Sequence, residues 1–117
     1  MYSDLSTELT KTISKVEKKN NGIYFTPLET IRMNVQYIEP FMKDIKEILE
    51  PSCGSCGYIL ELQRYNKNIT GVENNDLIYE SVKSMENENV KLVKADFLNY
   101  EFGKKFDLII GNPPFFV

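Results

Sequence analysis

The stretch Ile48-Leu49-Glu50-Pro51-Ser52-Cys53-Gly54-Ser55-Cys56-Gly57-Tyr58 is the segment around which the chain is organised. An apolar strand runs into an acid and then into a turn made of glycine and other small residues. Gly54 and Gly57 stand where the backbone must turn sharply and let a ligand approach, which a residue without Cβ permits at little cost. The pattern predicts the first half of a βαβ unit whose turn is suited to a nucleotide.

The composition is that of an ordinary globular chain. Its 117 residues are 42% hydrophobic and 26% charged, which is enough to bury one core. No apolar run approaches the roughly 20 residues that span a bilayer, and the N-terminus lacks the basic start and apolar stretch of a signal peptide. We therefore expect a soluble, intracellular (cytoplasmic) protein.

Charge and cysteine content restrict the function further. The net charge of −3 and the presence of only two arginines, Arg32 and Arg64, argue against a surface that holds phosphates. Cys53 and Cys56 have the C-x-x-C spacing of zinc and redox sites, but no histidine or further cysteine completes a zinc ligand set. We interpret them as two small residues in a tight turn, with a redox pair as the alternative, and expect no metal.

Periodic apolar residues predict four helices. The second has a strong start, because Thr26 and Glu29 form a T-x-x-E capping box and Pro27 takes the first helical position. The predicted helices cover residues 4–18, 27–39, 58–65 and 75–85. The side chains expected to face inward are, helix by helix, Leu5, Leu9, Ile13 and Val16; Leu28, Ile31, Val35 and Ile38; Tyr58, Ile59, Leu62 and Tyr65; and Leu77, Ile78, Val82 and Met85.

Short apolar runs predict four strands that alternate with the later helices, at residues 45–49, 69–73, 90–96 and 106–110. Lysines within the third run indicate an exposed side or an edge position, whereas the fourth run reads as a buried central strand. The alternation predicts an α/β fold with a doubly wound parallel sheet. Ligands of such sheets bind outside the carboxyl ends of the strands.

Acidic residues recur at those strand ends. Glu50, Glu73 and Asp96 each end a predicted strand and are 23 residues apart each time, and Asn112 follows the fourth strand. Glu73 is placed like the acid that binds ribose hydroxyls in dinucleotide-binding folds, where the gap is about 20 residues. An adenosine-containing ligand is therefore plausible, although the G-x-G-x-x-G pattern of dinucleotide sites is absent.

Three segments together resemble the S-adenosylmethionine (SAM) dependent adenine-N6 methyltransferases of DNA. Residues 50–58 resemble their SAM-binding loop, and Asn112-Pro113-Pro114-Phe115 matches their catalytic tetrapeptide in full. Tyr24-Phe25-Thr26-Pro27 resembles the N-terminal motif of the subgroup whose SAM loop precedes the catalytic motif. The resemblance covers about residues 22–117 and implies a Rossmann-like sheet of strand order 3-2-1-4. Cys56 departs from it, because the family usually has a second glycine there.

The resemblance also implies roles. Thr26 and the nearby backbone would meet the methionine part of SAM above the loop, Glu73 would bind the ribose, and Asp96 with Phe97 would hold the adenine. The implied cofactor-binding residues are Tyr24, Thr26, Pro27, Glu50, Pro51, Ser52, Gly54, Gly57, Glu73, Asn74, Asp96 and Phe97. The implied catalytic residues are Asn112, Pro113, Pro114 and Phe115.

This tetrapeptide suits an exocyclic amino group, whose lone pair is delocalised into the purine. The Asn112 side-chain carbonyl and the Pro113 backbone carbonyl can each accept one amino hydrogen, which localises the lone pair, and Phe115 would stack on the flipped-out base. Such catalysis is positioning and electrostatics, so it requires no histidine. The resemblance thus implies methyl transfer to adenine N6 in DNA, as part of a restriction-modification or related system.

Other interpretations stay open at this point. The motif is shared with methyltransferases of RNA bases or protein glutamine, and a non-catalytic SAM-binding or interaction module is a further alternative. Because the family's sheet has seven strands, we expect an N-terminal piece, with a helix in residues 1–21 and a SAM-binding part in residues 22–117. Such a piece would be inactive alone, would leave most DNA contacts to other regions, and could self-associate through its exposed fourth strand.

Overall fold

A computed structural model gives the fold and describes residues 2–12 and 25–113. The helices are α1 (Asp4–Thr12), α2 (Leu28–Ile38), α3 (Gly57–Leu62) and α4 (Asp76–Val82). The strands are β1 (Glu47–Glu50), β2 (Asn68–Glu73), β3 (Val90–Lys94) and β4 (Leu108–Ile109). Short 3₁₀ helices cover Glu39–Asp44, Gln63–Tyr65, Lys83–Met85 and Phe97–Asn99. None of the helices in this described part is long and apolar enough to cross a membrane.

The four strands form one parallel sheet in the order β3-β2-β1-β4. This confirms the predicted class and strand order. Ile48 pairs with Ile69 on one side and with Leu108 on the other. Ile48 and Leu49 are both buried although they point to opposite faces, as expected of an inner parallel strand covered on both sides.

The core joins the strands to the helices that follow them. Its buried residues include Ile48, Ile59, Leu62, Ile69, Val82 and Val90. Leu9 of α1 packs with Ile78 of α4 in a second, smaller cluster. The inward position predicted for Leu77 is wrong, because α4 turns Ile78 and Val82 inward and leaves Leu77 38% exposed.

The predicted capping box at α2 is also wrong. Pro27, not Thr26, occupies the N-cap in an extended conformation (φ −60°, ψ 147°), and it makes no side-chain capping hydrogen bond. The helix therefore begins one residue later than predicted, at Leu28. Thr26 is free to bond elsewhere, and its hydroxyl accepts a hydrogen bond from Asn112 instead.

Two strand predictions need correction. The fourth strand is not a buried central strand, since it is two residues long, lies at the sheet edge and leaves Ile109 62% exposed. The third strand is at the other edge, as its lysines indicated, but it ends at Lys94, so Asp96 lies two residues beyond it. The first predicted helix agrees with α1 over residues 4–12. Its remainder, together with Tyr24, Pro114 and Phe115, lies outside the described residues.

Gly71 provides a test of the packing between β2 and α3. A methyl group at this buried position would lie 2.6 Å from Cδ1 of Ile59 and 3.3 Å from Cβ of Cys53. The isoleucine tip can move, but Cβ of Cys53 is fixed by the backbone. We expect Gly71→Ala to lower the free energy of unfolding by about 1–3 kcal/mol. Urea unfolding measures this, with the exposed Lys91→Ala as control, and equal midpoints for the two variants would contradict it.

Candidate active site

The turn after β1 has an unusual backbone. Cys53 N donates to the Val72 carbonyl at 2.9 Å and Cys56 N donates to the Cys53 carbonyl at 2.7 Å, which closes the turn against β2. Gly54 and Cys56 both have left-handed backbones, with φ of 53° and 63°. Glycine adopts that conformation most readily, which gives a physical reason for the glycine that the resembling family has where this chain has Cys56.

The two cysteines are buried parts of this turn, and both are free thiols. A hydrogen bond to Cys56 and burial both raise the pKa of the Cys53 thiol well above its ordinary value. A thiol in this state is a poor nucleophile. Their geometry therefore agrees with the interpretation as small residues in a tight turn.

Glu50 is a buried acid at the floor of the site. It is 2% exposed, and its Oε1 accepts a hydrogen bond from Ser52 N at 2.8 Å. Burial raises the pKa of Glu50 to about 8, and the charge of Glu73 acts in the same direction, while the Ser52 N–H opposes it. Within the described residues no lysine or arginine forms an ion pair with Glu50. Its carboxyl therefore holds a proton at neutral pH unless a cation comes close.

Glu73 fixes the turn to the end of β2. Its two carboxylate oxygens accept hydrogen bonds from Gly54 N at 2.9 Å and from Asn75 N at 2.8 Å. Burial raises the pKa of Glu73, although these N–H donors and the charge of Lys94 act against the rise. The acid that the sequence suggested for a ribose is thus also a support of the glycine turn.

A cleft joins the turn to the segments before and after it. It encloses about 310 Å³, including space open to solvent. The structure brings six of the sequence-predicted residues to its lining: Thr26, Glu50, Ser52, Gly54, Gly57 and Asn112. Across the cleft, Asn112 Nδ2 donates a hydrogen bond to Thr26 Oγ1 at 3.3 Å, joining residues 86 positions apart.

The remaining predicted residues have other positions. Asp96 is exposed, and its carboxylate accepts hydrogen bonds from Leu98 N and Asn99 Nδ2. Ala95 N donates to the Glu73 carbonyl, so Asp96 and Phe97 follow Glu73 along the same sheet edge without lining the cleft. Pro27, Pro51, Glu73, Asn74 and Pro113 are described but do not line it either.

Sequence reasoning missed several residues of the site. Phe25, Ser55 and Tyr58 line the cleft. The Tyr58 hydroxyl accepts a hydrogen bond from Asn34 Nδ2 at 2.7 Å, which ties α3 to α2. Gly111 lies against the Glu50 carboxyl so closely that a Cβ there would collide with Oε1. The only sequence signal for Gly111 was its position directly before Asn112.

A parallel sheet with a left-handed glycine turn and acids at its carboxyl edge places the chain in the Rossmann-like class of folds. One solved structure of this class is SAM-bound CalS10, an amino pentose methyltransferase from Micromonospora echinaspora. It matches with a TM-score of 0.59 over 86% of this chain and 42% of that chain, at 17% sequence identity. At this identity the likeness establishes the shared fold.

The sequence profile of the N-6 DNA Methylase family matches residues 3–117, and the chain belongs to this family. Modification methylase CviBIII of Paramecium bursaria Chlorella virus NC1A is 40% identical over 99% of this chain and 32% of that protein. Type II methyltransferase M.CvrRI of Paramecium bursaria Chlorella virus XZ-6E is 33% identical over 99% of this chain and 30% of that protein. The chain thus spans about a third of the length of these relatives.

Family membership confirms the resemblance found in the sequence. SAM is the cofactor of this family of methyltransferases. The cleft at the glycine turn can therefore be tested against the chemistry of that cofactor.

Proposed function

We propose that the chain is the SAM-binding and catalytic part of a methyltransferase that modifies the N6 amino group of adenine in DNA, within a restriction-modification or related system. The observation that carries the proposal is the Asn112–Thr26 hydrogen bond across a cleft floored by Glu50. It supports the proposal because Thr26, Gly54 and Asn112 line one cleft, and the resemblance assigns these three positions to SAM and to the target base.

The residues of the cleft fit SAM. When bound, SAM supplies a methyl group activated by a positively charged sulfonium. Glu50 is a buried carboxyl with no cation paired to it, so a positive ligand would stabilise its ionised form. Gly54 has a left-handed backbone (φ 53°), which glycine adopts at little cost, and it lies beside the Phe25 ring at the cleft. Thr26, Gly54 and Glu73 would hold the cofactor.

Asn112 would orient the amino group of the target base. Its Nδ2 donates to Thr26, which turns its Oδ1 into the available acceptor for an amino hydrogen. The Pro113 carbonyl would accept the second hydrogen, and Phe115 would stack on the base. Because both acceptors lie on one short segment, the nitrogen lone pair would be localised before attack. This is catalysis by positioning.

We expect most contacts to the DNA backbone to come from outside these 117 residues. The net charge of −3 and two arginines give the chain little with which to neutralise phosphates. The relatives are about three times as long, which leaves room for a DNA-holding region.

The direct test is methyl transfer by a protein of the relatives' length that contains this chain. It is incubated with SAM labelled in the methyl group and with unmethylated DNA, and the DNA is digested to nucleosides. The expected labelled product is N6-methyl-2′-deoxyadenosine. Parallel reactions with RNA and with glutamine-containing protein should stay unlabelled. If RNA or protein became labelled and DNA did not, the substrate would be that molecule and not DNA.

Glu73 is expected to contribute to SAM affinity. Glu73→Ala removes both a charged acceptor for ribose hydroxyls and the bond that holds Gly54 N. We expect SAM binding to weaken by about 1–3 kcal/mol in isothermal titration. Glu88→Ala, at an exposed site beyond α4, is the matched control. Equal SAM affinities of the Glu73 and Glu88 variants would show that Glu73 does not contribute to SAM binding.

A further inference from the structure

Helix α1 is attached to the cofactor turn through a buried hydrogen bond. Ser6 is 1% exposed and Ser55 is 5% exposed, and their hydroxyls are hydrogen-bonded although they lie 49 residues apart in the sequence. Leu9 of the same helix packs on Ile78, which fixes α1 to the rest of the domain. The helix is thus anchored both to α4 and to the turn.

Three serine hydroxyls form a chain of hydrogen bonds that ends at the turn. Ser3 Oγ accepts from Ser6 N at 3.1 Å and donates its own proton to Ser6 Oγ at 2.9 Å. Either hydroxyl can donate in the bond between Ser6 and Ser55. A chain in which Ser3 donates to Ser6 and Ser6 donates to Ser55 is the arrangement in which successive hydrogen bonds strengthen one another. In that arrangement Ser55 accepts from Ser6 and keeps its own proton. Because Ser55 lines the cleft, that proton is available to a ligand.

We infer that Ser6 is a positioning residue that turns the Ser55 hydroxyl into a hydrogen-bond donor for the carboxylate of SAM. This inference rests on the proposed function. Glu50 is buried and Glu73 is partly buried, and both acids favour the cationic parts of the cofactor over its carboxylate. The anionic end of the cofactor therefore needs neutral donors. A carboxylate gains most from such a donor because charge-assisted hydrogen bonds are stronger than neutral ones.

Decarboxylated SAM separates this role from a general structural one, since it keeps the sulfonium and the adenosine but lacks the carboxylate. Titration of the 117-residue chain should show that Ser6→Ala weakens SAM binding by roughly 3- to 10-fold. The affinity for decarboxylated SAM should change by less than about twofold. Ser55→Ala should weaken SAM binding at least as much, and the double variant should be no worse than Ser55→Ala, because both changes interrupt one chain of bonds.

Ser81→Ala is the matched control, since Ser81 is exposed and its hydroxyl donates to the Leu77 carbonyl within α4. Equal weakening of both ligands by Ser6→Ala, or no weakening, overturns the inference and leaves the proposed function intact. A wild-type chain that binds neither ligand overturns the proposed function and this inference with it. If Ser6→Ala does not fold, the affinities of Ser55→Ala for SAM and for decarboxylated SAM are measured instead. Equal weakening of both, or no weakening, then overturns the inference.

Discussion

Asn112→Ala is expected to lower the rate constant of methyl transfer in the longer protein by roughly 10²–10³-fold, the usual loss when one preorganised polar contact to the reacting group is removed. Alanine removes the Oδ1 acceptor that the Thr26 bond orients, so the amino lone pair stays delocalised. The affinity for SAM should change by less than about threefold. Asn112 is exposed at the rim of the cleft, and the acids Glu50 and Glu73 remain in place.

Single-turnover kinetics with saturating SAM and DNA measure this loss without interference from product release. The matched control is Asn89→Ala, at an exposed position before β3, which should keep the wild-type rate. A further comparison is Thr26→Val, which removes the acceptor of the Asn112 bond together with a proposed SAM contact. With SAM saturating, it should give a smaller loss of rate than Asn112→Ala. An Asn112→Ala enzyme with more than about a tenth of the wild-type rate would exclude the proposed role.

The second large effect concerns pH. Burial raises the pKa of Glu50 to about 8 in the folded chain, from an ordinary value of 4.5. Between these two values the folded chain keeps a proton that the unfolded chain releases. The stabilising contribution of Glu50 is therefore fully present below about pH 4.5 and is lost as the pH rises toward 8, by roughly 1.4 kcal/mol per pH unit. The raised pKa of Glu73 adds a dependence of the same sign.

Glu50→Gln is expected to remove the larger part of this dependence. Urea unfolding of the ligand-free chain at pH 5 and pH 8 should show a loss of several kcal/mol for the wild type and a smaller loss for the variant. The control is Glu88→Gln at an exposed site, which should follow the wild type. Parallel pH profiles for the wild type and Glu50→Gln would show that the Glu50 carboxyl is solvated, in conflict with its burial.

The sheet could be predicted from the sequence because each strand and each helix has its own pattern of apolar residues within a short stretch of chain. Apolar runs alternate with helical periods, so the strand positions, the parallel pairing and the edge position of β3 were accessible from residues 45–96. The acids at the strand ends followed from the same pattern, and two of them, Glu50 and Glu73, support the turn between them. Asp96 lies farther from the cleft because β3 ends two residues before it.

The errors arose where distant residues compete with local patterns. Thr26 fits a capping box locally, yet its hydroxyl bonds Asn112, 86 residues away. The run at residues 106–110 is apolar enough for a central strand, but burial of Ile109 requires a neighbouring strand on its outer side. The Ser6–Ser55 bond has no periodic signature at all, because a serine on a short helix is compatible with a solvated position.

A crystal structure of the 117-residue chain with bound SAM tests the central claim most directly. We expect the cofactor in the cleft beside Thr26 and the Gly54 turn, with its ribose toward Glu73 and its methyl group facing Asn112. Ser55 should lie within hydrogen-bond distance of the carboxylate. SAM bound elsewhere, for example in the groove lined by Arg32, Glu61 and Arg64, would contradict the account.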